Sequence, residues 1–444
     1  MASPQKILVG TVEIARQMYD LADGFRRLGH RARTLIARRN PQHPGLRYDI
    51  EYRQSPFSER VNGIRAFPLR HARAVVNRSY WAARLLPLLT GYDVYVFQAG
   101  GSLLPGNRDL PLLKRLGKKV IVMFQGDEIR HWSAAEPVWE SFGLRLPPYY
   151  RENASLFPLA QKLTALRMAE RYADVIFSVP SQSELALRPY MHVYLPLDLS
   201  RFRYHVPARD VPVVVHAPSF APLKGTAQIL EALDRLRAEG VPFELRLLEG
   251  KKNEEVIEEL VGADVVADQL NVPLYGMFAL EGMATGCAVA GGNREDFIPL
   301  PPNRPTLHID SGNLYGQLRR LLTDKPLRLR LAAEGRALVE KYHDHRRVAR
   351  HLLDCLAAGP GRGFDYHPTF FARRYKLPEG EALDEGLKRL TARVVRRWGL
   401  PEDVDPRDLV ARGLMSCEGA GDSIPRWKDA PPAAGARAGA ENVG

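Results

Sequence analysis

The sequence predicts an α/β chain of two doubly wound halves, each with a parallel sheet, facing each other across a cleft. Three observations predict it. The chain has 444 residues, and single hydrophobic cores tend to split beyond roughly 250–300 residues. Its β-rich runs are short and continuously apolar, as strands buried on both faces must be. Those runs alternate with helix-like stretches in two series, separated by a break rich in proline and turn residues.

The first series holds the runs Lys6-Ile-Leu-Val9, Val94-Tyr-Val-Phe97, Val120-Ile-Val-Met-Phe124 and Val175-Ile-Phe177. Between Ala15 and Leu28 apolar residues recur at helical spacing, Gly29-His30 stops the helix, and a strand follows at Ala32–Ile36. The pattern breaks at Leu195–Phe202 and through Tyr204–Pro212, where the linker is placed. The second series has strands at Val213–His216, Phe243–Leu248, Val265–Val266, Ala288–Ala290 and Thr306–His308, then helices rich in arginine and leucine from Asp324 to Leu356. Expected domains are therefore 1–203 and 204–358, with an extension over 359–416 and a tail over 417–444 too poor in apolar residues to fold. Within the extension, Glu381–Trp398 spaces Leu383, Leu387, Leu390, Val394 and Val395 along one helical face, ringed by Lys388, Arg389, Arg393, Arg396 and Arg397. Such a helix either docks back on the protein or lies on a membrane.

Composition narrows the class. Hydrophobic and charged shares of 45% and 26% are those of a globular protein. The cysteines Cys287, Cys355 and Cys417 are too far apart for a CxxC site and odd in number, which argues for a reducing compartment. Met1–Gly10 lacks the apolar core of a signal peptide, and no apolar run reaches the length of a membrane span. A cytoplasmic protein is expected, with peripheral contact at the inner membrane face kept open. A net charge of +12 favours anionic partners without choosing among them.

In open α/β sheets ligands gather at the carboxyl ends of strands, where helix N-termini offer free N–H groups and positive dipole. The loop after Val213–His216 ends in Lys224-Gly225-Thr226 at a helix start. Glycine lets backbone N–H groups approach a diphosphate and the lysine offsets its charge; a solvated loop lysine is the plainer alternative. The stretch Asp264–Ala290 reads strand, loop, helix, glycine turn, strand. In it Glu281 stands among Phe278, Ala279, Leu280, Met283 and Ala284, where a carboxylate costs several kcal/mol unless something pairs with it. Ribose hydroxyls would do so, as would a neighbouring arginine; a glutamate on an exposed helix face is the plainer alternative.

Four phrases, Lys224-Gly225-Thr226, Asp268-Gln269, Tyr275-Gly276-Met-Phe-Ala-Leu-Glu281-Gly-Met-Ala284 and Gly286-Cys-Ala-Val289, resemble in order and spacing the C-terminal domain of retaining GT-B glycosyltransferases of the family 4 type. Pro196-Leu-Asp-Leu-Ser-Arg-Phe202 resembles that family's interdomain segment. The likeness spans Lys6 to Leu356 and is closest from Val213 to Ala290. It implies a GT-B fold and transfer, without a metal or other cofactor, of a sugar from a nucleoside diphosphate sugar to a glycan, lipid-linked or small-molecule hydroxyl, as in polysaccharide biosynthesis. Lys224 would then meet the diphosphate and Glu281 the ribose. Three positions depart from the family pattern: Ser219 stands where an arginine is usual, Pro273 replaces the first glutamate of the Glu-x7-Glu signature, and Gln125 falls where many relatives have histidine. Asp268 and Gln269 are the candidates to take over sugar recognition, with backbone N–H groups from Tyr275-Gly276; a turn cap is the alternative role of Asp268.

On the other wall, the strand ending at Phe124 runs into Gln125-Gly126-Asp127-Glu128, a polar cluster on the acceptor side. Asp127 or Glu128 can accept a proton if held near the transferred sugar; Asp127 can equally cap a helix. Catalytic candidates are thus Lys224, Glu281 and Asp127. Gly10, after the first strand, is placed close to ligand or simply in a turn. A second basic stretch, Arg60–Arg84, interleaves arginines with Phe67, Tyr80 and Trp81 and, like the Glu381–Trp398 helix, is a candidate for anionic lipid contact or an ordinary solvated face. No nucleic-acid motif, P-loop, HExxH or GxSxG accompanies them, so no nucleic acid partner is expected. Two rivals stay open: other nucleotide-sugar chemistry such as hydrolysis or epimerisation, and a non-catalytic sugar-nucleotide binder or partner subunit, suggested by Pro273, Ser219 and Gln125.

Overall fold

The computed structural model describes residues 3–38, 43, 45–51, 84–154, 158–270, 272–359, 363–420 and 424–427. Two parallel sheets dominate it. The first contains β1 (Lys6–Val12), β2 (Arg31–Arg38), β3 (Ile50–Glu51), β4 (Val94–Gln98), β5 (Lys119–Met123), β6 (Val175–Ser178) and β7 (Met191–His192), in the order β3-β2-β1-β4-β5-β6-β7. The second contains β8 (Val213–His216), β9 (Glu244–Leu247), β10 (Val265–Ala267), β11 (Ala288–Gly291) and β12 (Thr306–His308), in the order β12-β11-β10-β8-β9.

Both faces of each sheet are covered, which is why the strands read as unbroken apolar runs. On one face of the first sheet Leu8, Tyr95, Phe97, Val120 and Val122 join a core with helix Leu159–Tyr172; on the other, Ile7, Val9, Val94, Val96, Ile121 and Met123 pack beneath helix Gln17–Arg27. The second sheet divides the same way, with Val213, Val215, Val266 and Val289 on one side and Val214, Val265, Ala267 and Ala290 on the other.

Helix His345–Ala358, expected to close the second half, packs instead under the first sheet. Val348, Ala349, Leu352 and Cys355 sit with Ile7, Met18, Leu21 and Phe25. Gly24 makes the approach possible, because a Cβ there would lie 2.4 Å from the His345 carbonyl oxygen. The chain thus crosses between the halves twice. The crossings are tied together where Leu197 N–H donates to His343 O at 2.8 Å and His345 N–H to Leu197 O at 3.0 Å. Helical spacing shows that a face is buried, not which sheet buries it.

The extension also returns to the first half. Its main helix is Glu385–Trp398, starting later than expected because Asp384 caps it by accepting from Leu387 N–H at 2.9 Å. Leu387, Leu390, Val394 and Val395 enter the core beside helix Leu159–Tyr172, so the helix docks back and its apolar face is covered. Part of the expected tail is ordered: β14 (Arg426–Trp427) pairs with β13 (Leu400–Pro401), and Trp427 donates its indole N–H to Trp398 O at 2.7 Å. Residues 428–444, and all of the basic Arg60–Arg84 stretch except Arg84, lie outside the described residues. Among the described residues no helix is long and apolar enough to cross a membrane.

Candidate functional site

The loops after β8 and β10 build one wall. After His216 the chain forms the short helix Ala221–Lys224, turns at Gly225 with φ +71, and enters helix Thr226–Ala238. Only glycine suits that turn: besides its left-handed φ, a Cβ would stand 2.7 Å from Leu270 Cβ. The turn holds Lys224 so that its Nζ lies 2.8 Å from Asp268 Oδ1 and 2.9 Å from Gln269 Oε1. Asp268 is fully buried and its other oxygen accepts from Gly276 N–H at 3.3 Å, at the start of helix Met277–Thr285. Four expected residues, Lys224, Asp268, Gln269 and Gly276, are therefore one cluster at one helix N-terminus. Asp268 thus does two things at once, accepting from the backbone at the helix start and serving as the counter-ion of Lys224. Ser219 is exposed in the preceding loop. The Tyr275 side chain belongs to the core, with its hydroxyl 3.0 Å from His343 Nε2.

Glu281 sits in the second turn of the same helix and is 4% exposed. Its partner is Asn253, whose Nδ2 donates to Oε1 at 2.8 Å, and burial pushes the carboxyl up to about 7 against that bond. Asn253 Oδ1 in turn accepts from Arg201 at 3.1 Å. Burial first, then the like charge of Arg16, pulls the Arg201 guanidinium below its ordinary value. Arg16 pairs with buried Asp20 at 2.7 Å, and Asp20 accepts from Asp198 N–H at 3.1 Å. A polar network thus joins the two halves along Arg16, Asp20, Arg201, Asn253 and Glu281.

The first half contributes a strained corner to it. Ala15 and Arg16 both hold left-handed φ, +48 and +67, at a cost of order 1–3 kcal/mol each. That corner folds Glu13 back so that its carboxylate accepts from Met18 and Tyr19 N–H at 3.1 and 3.2 Å at the start of helix Gln17–Arg27, and burial raises it to about 7. Gly10, by contrast, is inside β1, which runs three residues further than expected. A Cβ at Gly10 would lie 2.8 Å from Leu35 O, so sheet packing accounts for it.

The expected acceptor-side cluster is tied into its own surroundings. Gln125 donates to Gln17 Oε1 at 2.8 Å. Glu128 accepts from Gln125 N–H, and burial raises its pKa. Asp127 does not cap a helix, since His131 precedes Trp132–Ser141 and accepts from Ser133 N–H. Asp127 instead pairs with Arg130 at 2.9 Å and keeps 40% of its side chain exposed. Gly126 has open space around it, its nearest neighbour for a Cβ being Glu128 Oε2 at 3.7 Å. From the same half the Tyr149 ring reaches to 5.0 Å from that of Phe220, which precedes the Ala221–Lys224 helix of the other half.

Asn253, Arg201, Arg16, Asp20 and Glu13 were not expected here. Asn253 had a usable signal, standing in a polar run at the carboxyl end of β9 where a helix begins. The others meet it only through tertiary contact.

No protein-family model matches the chain, and none of the curated proteins compared is similar to it in sequence. Solved structures are similar in fold. One is an α-glucosyltransferase in complex with UDP and a 13-mer DNA containing an HMU base, at TM-score 0.51 and 13% identity over 80% of this chain and 100% of that one. A sucrose-phosphate synthase from Thermosynechococcus elongatus matches at 0.50 and 15%, over 80% and 98%. A trehalose-6-phosphate synthase matches at 0.50 and 10%, over 80% and 99%. Two parallel-sheet halves, facing loops and this likeness together give the chain the GT-B fold.

Proposed function

We propose that the protein transfers a sugar from a nucleoside diphosphate sugar to a hydroxyl of a glycan, lipid-linked or small-molecule acceptor, with retention and without a metal. The observation that carries this is Glu281: a carboxyl buried in an apolar helix and held by one amide, on the helix whose N-terminal N–H bonds to the counter-ion of Lys224. A ribose presents the two hydroxyls that such a carboxylate accepts from. The fold supports the same chemistry, since the similar α-glucosyltransferase was solved with UDP.

In this reading Glu281 takes the ribose, while Lys224, presented by the Gly225 turn, takes the diphosphate together with the Gly276 N–H once Asp268 releases it. Asp268 and Gln269 hold Lys224 in place and turn toward the sugar as the lysine changes partner. Arg16 and Arg201 supply the second cation that Ser219 does not. Asp127, the exposed carboxylate of the opposite wall, receives the acceptor's proton, with Gln125, Gly126 and Glu128 shaping its loop. We place the acceptor half in 1–203 together with the returning helices, and the donor half in 204–344. A cytoplasmic setting, with contact to an anionic membrane face through basic residues, fits this role.

The neutralised Lys224–Asp268 pair favours one rival, a sugar-nucleotide binder without turnover. A thermal-shift screen of nucleoside diphosphate sugars, followed by assay of nucleoside diphosphate release, separates them. Hits with release support transfer. Hits without release on any acceptor class support the binder, and no hit at all defeats both.

A further inference from the structure

The helix whose apolar stripe suggested a bilayer, Glu385–Trp398, spends that stripe on the first core. Exposed leucines appear instead on the outer face of the first sheet. There a helix over 84–90 leads into β4, and helix Leu110–Arg115 connects β4 to β5. Parallel strands require both helices to run against the strand direction, and both bury leucines, Leu88, Leu89, Leu110 and Leu113, in the same core. Their ends are bonded together, since Lys118 Nζ donates to Thr90 O at 2.9 Å. The two helices therefore lie side by side and present one outward face.

That face keeps apolar groups in water. Leu86 is 63% exposed, the largest value for a large apolar side chain among the described residues, and Leu112 and Leu116 are 43% and 42% exposed. Along the second connection Leu104, Arg108, Leu112 and Leu116 stay outside at four-residue steps, while Asn107, Leu110 and Leu113 are buried. Arg108 and Arg115 are exposed on it without an acidic partner among the described residues, and Lys118 and Lys119 stand at its far end. The carboxylates nearby are already engaged. Asp109 is buried and accepts from Leu103 and Leu104 N–H at 3.2 and 3.0 Å. Asp174 is shared by Lys114 and Lys119 at 2.7 and 3.7 Å, and Asp93 accepts from Lys6 N–H at 2.8 Å. Single exposed leucines need no explanation, but leucines grouped with unpaired guanidinium groups on one face do.

We propose that this face docks on an anionic lipid bilayer. Leucine tips reach acyl depth while the arginine stems let their guanidinium groups stay at the headgroup level, which is how interfacial helices bind. Leu104 and Arg108 flank the turn Pro105–Asn107, on the connection that leaves β4 at the edge where the cleft opens, so docked headgroups stand beside the acceptor wall. This gives the membrane contact of the proposed function a place and rests on that part of it alone.

The test uses the full chain and two double variants of exposed side chains, Leu112→Ser/Leu116→Ser and Arg108→Gln/Arg115→Gln, each checked for an unchanged melting temperature. The parent is expected to sediment with vesicles of equal parts phosphatidylglycerol and phosphatidylcholine, and little with phosphatidylcholine alone. Affinity for the anionic vesicles is expected to fall about tenfold or more in each variant. Added salt should weaken the parent and the leucine variant more than the arginine variant. The controls Val206→Ser/Val211→Ser and Arg319→Gln/Arg330→Gln change exposed groups elsewhere and should bind as the parent does. A parent that ignores the anionic vesicles overturns both this face and the membrane contact. A parent that binds while both variants bind equally well, or while the controls lose as much, puts the contact elsewhere and overturns this face alone. A leucine variant that turns a dimeric parent into a monomer without vesicles gives the face to a second copy and likewise overturns it.

Discussion

Replacing Glu281 by glutamine separates the energetic role of this residue from its ligand role. Its carboxyl moves from 4.5 to about 7 on folding, which at 1.36 kcal/mol per pH unit is about 3 kcal/mol. A raised carboxyl pKa stabilises the fold fully below the unfolded value, and that contribution is lost as pH rises through the folded one. The parent is therefore at its best near pH 4.5 with respect to this group and pays the whole penalty above about pH 7. Glutamine has no charge to bury and its carbonyl can still accept from Asn253. Urea denaturation is expected to give equal stabilities near pH 4.5 and a variant more stable by up to about 3 kcal/mol at pH 8. Ligand binding should move the other way. Hydrogen bonds to a charged group are worth about 1.5–3 kcal/mol, so affinity for a nucleoside diphosphate is expected to fall about 10- to 100-fold at pH 8. In the parent that affinity should rise between pH 6 and 8. A variant that binds as the parent does at pH 8 would remove Glu281 from the donor site, and one that is less stable there would show that the ionised carboxylate is already satisfied by its neighbours.

Lys224→Met leaves fully buried Asp268 without its counter-ion and is expected to cost about 3–5 kcal/mol in urea denaturation, most of it recovered in Lys224→Met/Asp268→Asn. Gly225→Ala forces a side chain into a left-handed turn and onto Leu270, and its melting temperature should fall by an amount equivalent to about 2 kcal/mol or more. Trp398→Ala empties the contact between the extension and Arg188, costing about 3–5 kcal/mol, and limited proteolysis should then cut first within 363–427.

The strand series was legible because burial on both faces leaves an apolar run that needs no partner to be recognised. Strands β3 and β7, two residues each, have no periodicity to detect. Glu281 was legible as a charge out of place, and Lys224-Gly225 as a turn. What escaped was the identity of partners. The sequence shows Asp268 as a polar residue in the loop after β10 but not that Lys224, 44 positions away, is its ion-pair partner. Arg201 and Asn253 are 52 positions apart and meet only once the halves are assembled. For the same reason sequence order places the helix after Asp344 with the half that precedes it, whereas it packs under the first sheet.

That last arrangement bears on how the protein is made. During synthesis the first sheet emerges before the helices that cover it, His345–Ala358 and Glu385–Trp398. The half encoded first therefore waits with part of its sheet unshielded while the half encoded in the middle can already complete its own core, and a chain interrupted between His345 and Trp398 carries its defect in the first half rather than at the break.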